Sequence, residues 1–394
     1  MTNNIDQGAP VATPVPETVA GRIGEARQFG DDAEPIAGQK LRIENTSKFG
    51  RMFWIGTYTT LLSIVTLTIF RFWGRTNFRR QLWSDTTIGG EPLEYTGTGK
   101  ELFIGFFIAI FTLMVPFIGL LVAAQALLAD VGLALAVIAI YLVFFWLIGV
   151  AVYLARRYHL SRTRFRGIRF AQTGSAVSYG FQYFGWLFAT LLTLGWLAPL
   201  MRIDLSKKLW EGAYFGSEKF QFLKTPEAKS EPVYTSFALS YLGMIAIYAG
   251  WFIFLQVTMG LDQLAEETLF LDPMNVVLFY GSLFAFGLIG AFFYSWHEAV
   301  MVRRIVKSIH LQGTPLSSRI SMMDILVLTL TNGLIVVFTL GLGIMVAQMR
   351  VWKKIANTMS VAGPIDLAAI AQTTEEGPSQ GEGLADGLDL VSTF

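Results

Sequence analysis

From residue 102 to 155, and again from 233 to 296, the chain holds no lysine or arginine. Each stretch is long enough for two passes of a bilayer, which takes about 20 apolar residues per helix. Seven apolar runs occur in all, at 52–70, 102–128, 131–155, 177–201, 234–259, 274–296 and 325–349. Composition points the same way. Charged residues are 15% and apolar residues 53%, against about 25% and 45–50% in soluble domains. The reading is a polytopic α-helical membrane protein.

The regions around these runs are as informative. Without cysteine there is neither a disulfide framework nor a thiolate metal site. The opening stretch, "MTNNIDQGAPVATPVPETVAG", has no basic n-region and no apolar h-region, so the first apolar run is expected to direct insertion. Residues 1–45 read as a disordered polar tail, and 363–394 as a disordered acidic one.

Dibasic pairs follow five helical stretches: Arg79-Arg80, Arg156-Arg157, Lys207-Lys208, Arg303-Arg304 and Lys353-Lys354. A glycine comes soon after each, at Gly89, Gly167, Gly216, Gly313 and Gly363. Around the first four, alternating aromatic or branched residues flank the turn, which is a hairpin signal. The fifth, "VAGPIDLAAI", lacks the alternation. Three runs, "LLSIVTLTIFRFWGR", "LFATLLTLGWLAPLMR" and "LIVVFTLGLGIMVAQMR", share a Thr-Leu step ahead of an arginine. The boundaries that follow are a first repeat over 46–176, a second over 177–320 and a partial third over 321–362.

Charge sets an expected topology. The turns of the two uncharged pairs carry only Asp130 and, in the second, Asp262, Glu266, Glu267 and Asp272, while every other loop is basic. By the positive-inside rule the acidic turns face outward and the basic loops face the cytoplasm. The Thr-Leu runs are basic at both ends, so they are expected to enter and return on the cytoplasmic side. Their candidate breaks are Gly195 with Pro199 and Gly341 with Gly343, and the first copy has Thr68 in place of Gly195. The fold class expected is therefore all-α and polytopic with internal repeats: four transmembrane helices, three re-entrant segments and short cytoplasmic β-hairpins.

The text of residues 66–106, "TLTIFRFWGRTNFRRQLWSDTTIGGEPLEYTGTGKELFIGF", resembles the signature of the YjgN family of bacterial inner-membrane proteins, a domain of unknown function. The resemblance covers roughly 45–360. It implies an inner-membrane location and supplies no reaction, substrate or catalytic residue.

Sites for chemistry are few. His159, His297 and His310 have no second ligand at metal spacing, and the adjacent His297-Glu298 point to different sides of a helix. Ser-His-Asp order, P-loop and HExxH strings are absent, so no cofactor is expected, and with no catalytic constellation visible a membrane enzyme ranks third among the readings. Asp324 reads as a helix N-cap. Asn332 is the polar residue best placed to line a path, with an interhelical hydrogen bond as the plainer alternative. The cations Arg71, Arg75, Arg79, Arg80, Lys207, Lys208, Arg303 and Arg304 sit among interfacial aromatics and suit an anionic membrane surface rather than nucleic acid. The expected function is a non-enzymatic inner-membrane module, both tails cytoplasmic, whose basic face binds anionic lipid or a protein partner. The alternative is a channel or transporter with a path between the re-entrant segments.

Overall fold

A short strand, β1 (Ile43–Asn45), leads into α1 (Phe49–Val65) and α2 (Arg71–Ser84), and the chain returns as β2 (Thr86–Ile88). The same order, strand–helix–helix–strand, follows through β3 (Glu91–Tyr95), α3 (Gly99–Leu127), α4 (Asp130–Arg162) and β4 (Thr163–Phe165). It recurs in β5 (Ile168–Gln172), α5 (Ala176–Leu192), α6 (Ala198–Glu211) and β6 (Ala213–Phe215). Next come β7 (Glu218–Lys219), β8 (Gln221–Phe222), a one-turn α7 (Pro226–Lys229), α8 (Val233–Met259), α9 (Pro273–Ser308) and β9 (Ile309–Leu311). Last are β10 (Thr314–Ser318), α10 (Met322–Phe338), α11 (Ile344–Thr358) and β11 (Met359–Val361). This computed structural model describes residues 41–127, 130–260, 272–361, 363–367 and 369–372. Most of both tails, and Asp262, Glu266 and Glu267 of the second acidic turn, lie outside the described residues.

The strands pair antiparallel in one order, β1 to β7 in one sheet and β8 to β11 in the other. Two joints connect the sheets. Between β7 and β8 the N–H of Phe220 donates to the Ala213 carbonyl at 3.0 Å. At the other end Arg42 bridges Ser360, and the Val361 N–H donates to the Leu41 carbonyl at 2.9 Å. The row of strands thus closes on itself, which removes the free edges an open sheet would present. In place of the separate hairpins expected from the sequence there is a ring. Its fifth hairpin is not the turn at Gly363-Pro364: β11 pairs with β10 and meets the beginning of the chain instead.

One backbone bond recurs in all five units and sets where strand gives way to helix. The N–H of Thr46, Thr96, Thr173, Leu223 and Arg319 donates to the carbonyl of Asp85, Arg162, Gly212, Ser308 and Thr358, at 2.8–3.0 Å. Side chains alternate along the strands, with Leu93, Tyr95, Thr163, Phe165, Ala213, Phe215, Leu316 and Ser318 buried and Glu94, Arg164 and Pro315 exposed, as a strand with one covered face requires. Residues 363–367 and 369–372, which the sequence places in the acidic tail, cross the hairpin turns as a strap. Gln312 and Asp366 exchange two bonds, Ser217 and Ala371 two more, and Gln372 accepts from the Arg169 N–H and donates to the Gly167 carbonyl. Ile365 and Ile370 on this strap are buried.

The helix pairs come in two lengths. In the three Thr-Leu units the first helix has 17 residues, about 25 Å at 1.5 Å per residue, and the chain then reverses. The tip leucines Leu67, Leu194 and Leu340 adopt left-handed φ of 48–50°, and the next N–H reaches back five residues in each (Thr68 to Ser63, Gly195 to Thr190, Gly341 to Val336; 2.6–2.8 Å). These are Schellman caps with leucine where glycine is usual. The threonine of each Thr-Leu step completes the turn. Its hydroxyl donates to the carbonyl four residues back and accepts the N–H four residues on: Leu62 and Phe70 for Thr66, Ala189 and Leu197 for Thr193, Ile335 and Gly343 for Thr339. A break at membrane depth needs such partners, because lipid offers none. Thr68 takes a φ of 71° where the other copies have glycine, so the first copy turns like the rest.

Among the described residues, three helical stretches are long and apolar enough to cross a membrane, Val131–Arg162, Pro226–Thr258 and Pro273–Ser308. Only 6%, 11% and 11% of their most apolar windows are buried, so most of that apolar surface faces outward, although α8 and α9 pack on each other through Trp251, Phe254, Leu255 and Phe279. The 29-residue α3 contributes the shorter apolar stretch Val115–Ala126. Each returning helix touches the first helix of the next unit, α2 with α3, α4 with α5, α6 with α8, α9 with α10 and α11 with α1. Most apolar clusters lie at those joints, for example Met52, Phe78, Leu82, Val346 and Met349 between the first and last units, and Phe72, Leu102 and Tyr158 between the first and second; Leu255 with Trp251, Phe254 and Phe279 instead packs within the fourth unit.

Candidate functional site

The ring fixes the height of every basic pair. Arg80 and Arg157 stand six residues before Thr86 and Thr163, and Lys207, Arg303 and Lys353 stand six before Ala213, Ile309 and Met359. Because those strand residues are equivalent in the ring, the five cations form one level, a collar just above the strands. In three units the contact at this level is the same: Arg80 donates to the Gly97 carbonyl, Arg303 to Ile320 and Lys353 to Ser47, at 2.8–2.9 Å. Each acceptor lies two residues past the end of the next unit's first strand. These cations latch neighbouring units together.

The other cations singled out by sequence are spread around the collar and do not gather at one point. Arg71, Arg75 and Arg79 follow each other at four-residue spacing, one stripe on α2, half-buried and each engaged with other groups. Lys207 lies 3.8 Å from Glu211, and Lys208 is exposed. Arg303 and Lys307 share Glu231 at 3.0 and 2.6 Å. Arg304 is buried, its Nη1 without a hydrogen-bond partner. Aromatic rings fill the level between cations: Arg156 stacks over Trp210 at 4.6 Å, and Trp83 lies flat on Trp352 at 5.2 Å.

One turn above the collar lies a polar layer. The Arg202 guanidinium faces the Glu298 carboxylate with both nitrogens, Nη2 to Oε1 at 2.6 Å, joining α6 to α9. Asp204 accepts from the Gln182 amide at 2.6 Å and from the Trp186 indole at 2.7 Å across its own helical hairpin. Asn332 plays the corresponding part in the last unit: its Oδ1 accepts from Arg350 at 3.0 Å, and its Nδ2 donates to the Ala347 carbonyl at 3.3 Å. These bonds tie α10 to α11 across the hairpin. Asp324 is the third helical residue of a capping box, not the cap itself; Ser321 is the cap. Burial pushes the Asp324 carboxyl up, but Lys354 at 2.6 Å and the Ser321 bonds outweigh it and hold the group below its ordinary range.

Sequence reading overlooked Asp204, Glu298 and Glu231 as partners. The signal available was an acid within two to five residues of a cation at the margin of an apolar run: Asp204 beside Arg202, Glu231 beside Lys229 and Glu298 before Arg303. Two of the three histidines lie within hydrogen-bond distance of a hydroxyl or carbonyl oxygen. His297 sits 3.2 Å from the Ser236 hydroxyl, and buried His310 lies 3.1 Å from the Ser308 carbonyl. Among the described residues no group of three His, Asp or Glu could hold a metal ion.

No curated protein and no solved structure matches this chain. Residues 40–387 match a family of bacterial proteins of unknown function, DUF898. That span takes in the whole strand ring, all eleven described helices and the collar. The chain belongs to this DUF898 family of bacterial proteins.

Proposed function

We propose that this is a multi-pass module of the bacterial inner membrane, with the strand ring and both tails in the cytoplasm and a collar that binds anionic lipid. Four helices, α3, α4, α8 and α9, cross the bilayer, and the three Thr-Leu hairpins enter it and return. The 2.5 repeats seen in the text become five ring units, each repeat holding one short and one long hairpin. A single observation carries the reading: the basic pairs share one level beside the ring, while the long helices above it bury at most 11% of their most apolar windows. From Arg79 to Thr68 is eleven residues, about 17 Å of helix. A collar at headgroup height therefore puts the tip leucines, 80–93% exposed, near the bilayer centre. Each cation at that height adds about 1 kcal/mol toward anionic lipid.

Cysteine-free sequence makes the test direct. A single cysteine replaces exposed Lys224, beside the ring, or exposed Met274, at the far end of α9. In intact cells a membrane-impermeant maleimide labels Met274→Cys and spares Lys224→Cys. The reverse pattern, or labelling of both, overturns the topology.

A second reading, a conduction path along the ring axis, draws on the polar layer. Arg75, Arg202, Glu298 and Gln348 all stand eleven residues before the following strand, on four of the five returning helices. Ion flux in liposomes that changes with Glu298→Gln would favour this path; flux absent in wild type would remove it.

A further inference from the structure

We infer that the cleft between α10 and α11 is a site for the phosphate headgroup of one anionic phospholipid. The inference rests on the membrane reading above and assigns it one particular place. The cleft has a volume of 410 Å³, within the ~300–1,000 Å³ of small-molecule sites. Three cations line it, Arg350, Lys353 and Lys354, with a single acid, Asp324. Lys354 is matched by Asp324 at 2.6 Å. Among the described residues, Arg350 donates only to the neutral amide of Asn332, and Lys353 only to the Ser47 carbonyl. Two positive charges therefore meet the cleft without a counter-ion, and a guanidinium beside an ammonium is suited to a phosphate.

The rest of the wall is apolar on α10, from Met323, Val327 and Leu328, and carries one neutral polar residue on α11, Asn357. Val327 is half exposed, one turn above Asp324 on the way to the Thr-Leu tip. A ligand with an anionic head at collar height and a hydrocarbon tail rising along α10 satisfies both halves of the cleft; a free phosphate leaves the apolar half in contact with nothing. The other two Thr-Leu hairpins lack the arrangement. Nine residues before the strand, where the last unit has Arg350, they have Asn77 and Asp204. The site belongs to one unit of the five.

The test measures lipid retained on the full-length protein released from mixed phosphatidylglycerol–phosphatidylcholine vesicles, by mass spectrometry. Wild type retains phosphatidylglycerol in preference. Arg350→Gln lowers that preference roughly fivefold, and Arg350→Gln with Lys353→Gln about 25-fold, each charge counting about equally. Asp324→Asn frees Lys354 and raises the preference roughly fivefold, a gain that misfolding cannot mimic. Arg164→Gln, on the outer face of the strand ring, leaves it unchanged. Preference that survives in the double variant, together with no gain in Asp324→Asn, overturns the site. Inorganic phosphate that binds the lipid-free protein with the same dependence on Arg350 overturns the lipid assignment. If wild type shows no preference at all, the collar reading falls with it. If a preference exists that depends on Lys207 and Lys208 but not on Arg350 and Lys353, only the cleft falls.

Discussion

Replacing Thr339 by valine removes one hydroxyl and almost no volume, so it isolates what the Thr-Leu step contributes. The hydroxyl gives its proton to the Ile335 carbonyl at 2.6 Å and accepts the Gly343 N–H at 2.8 Å. Ile335 keeps the backbone N–H of Thr339 at 3.0 Å, so the loss falls mainly on Gly343. An unmatched N–H away from water costs about 1–3 kcal/mol, and at the upper end in hydrocarbon, where water cannot replace the partner. We expect Thr339→Val to lower stability by about 2–3 kcal/mol, a 30- to 160-fold shift in the folded-to-unfolded ratio. Thr339→Ser, which keeps the hydroxyl, falls within about 0.5 kcal/mol of wild type. The assay is reversible denaturation of protein in bicelles, followed by tryptophan fluorescence. A valine variant as stable as the serine variant would show that the turn sits in water and would refute its placement in the bilayer.

Four shorter expectations follow from other contacts. A Cβ on Gly74 would lie 2.0 Å from the Thr59 methyl, so Gly74→Ala costs about 1–3 kcal/mol and Thr59→Ala in the same chain recovers part of it; equal losses in single and double variants would contradict the contact. A double-mutant cycle on Arg202 and Glu298 yields a coupling of about 1–3 kcal/mol, and a value below about 0.5 means the pair does not join α6 to α9. Ile370→Asp puts a charge into a buried strap position and speeds hydrogen exchange at Ser217 and Ala371 by about tenfold or more; unchanged exchange means the strap is held elsewhere. The Asp324 carboxyl, lowered in the folded state, stabilises above its unfolded pKa and loses that effect as pH falls through the folded one. The melting difference between wild type and Asp324→Asn is therefore full at neutral pH and closes at strongly acidic pH; a pH-independent difference would contradict it.

Much of this architecture can be read in the text, and the gaps have physical causes. Apolar runs and basic pairs give the helices and their level, because burial in lipid and exclusion of charge act on each segment alone. The Thr-Leu step is legible as a recurrence, but its reversal depends on a left-handed leucine, a state that residue type disfavours and only the completed turn reveals. Hairpins at Gly89, Gly167, Gly216 and Gly313 follow from local turn chemistry. The fifth does not, since "RIEN" near the beginning of the chain and "MSV" near its end are 316 residues apart and carry no local mark of pairing. Asn332 was visible as a polar residue in an apolar helix; that Arg350 is its partner required the hairpin. Arg80, Arg303 and Lys353 read as surface charge, whereas their carbonyl acceptors belong to the neighbouring unit.

The meeting of β1 with β11 also sets a clock. During synthesis at about 5–20 residues per second, the 316 residues that separate Asn45 from Val361 take roughly 16–60 s to emerge. For that whole interval one side of β1 waits without its final partner, and the ring exists only as an arc with an open seam. A ribosome stalled anywhere before β11 leaves an exposed strand edge, ready to pair with a second nascent chain.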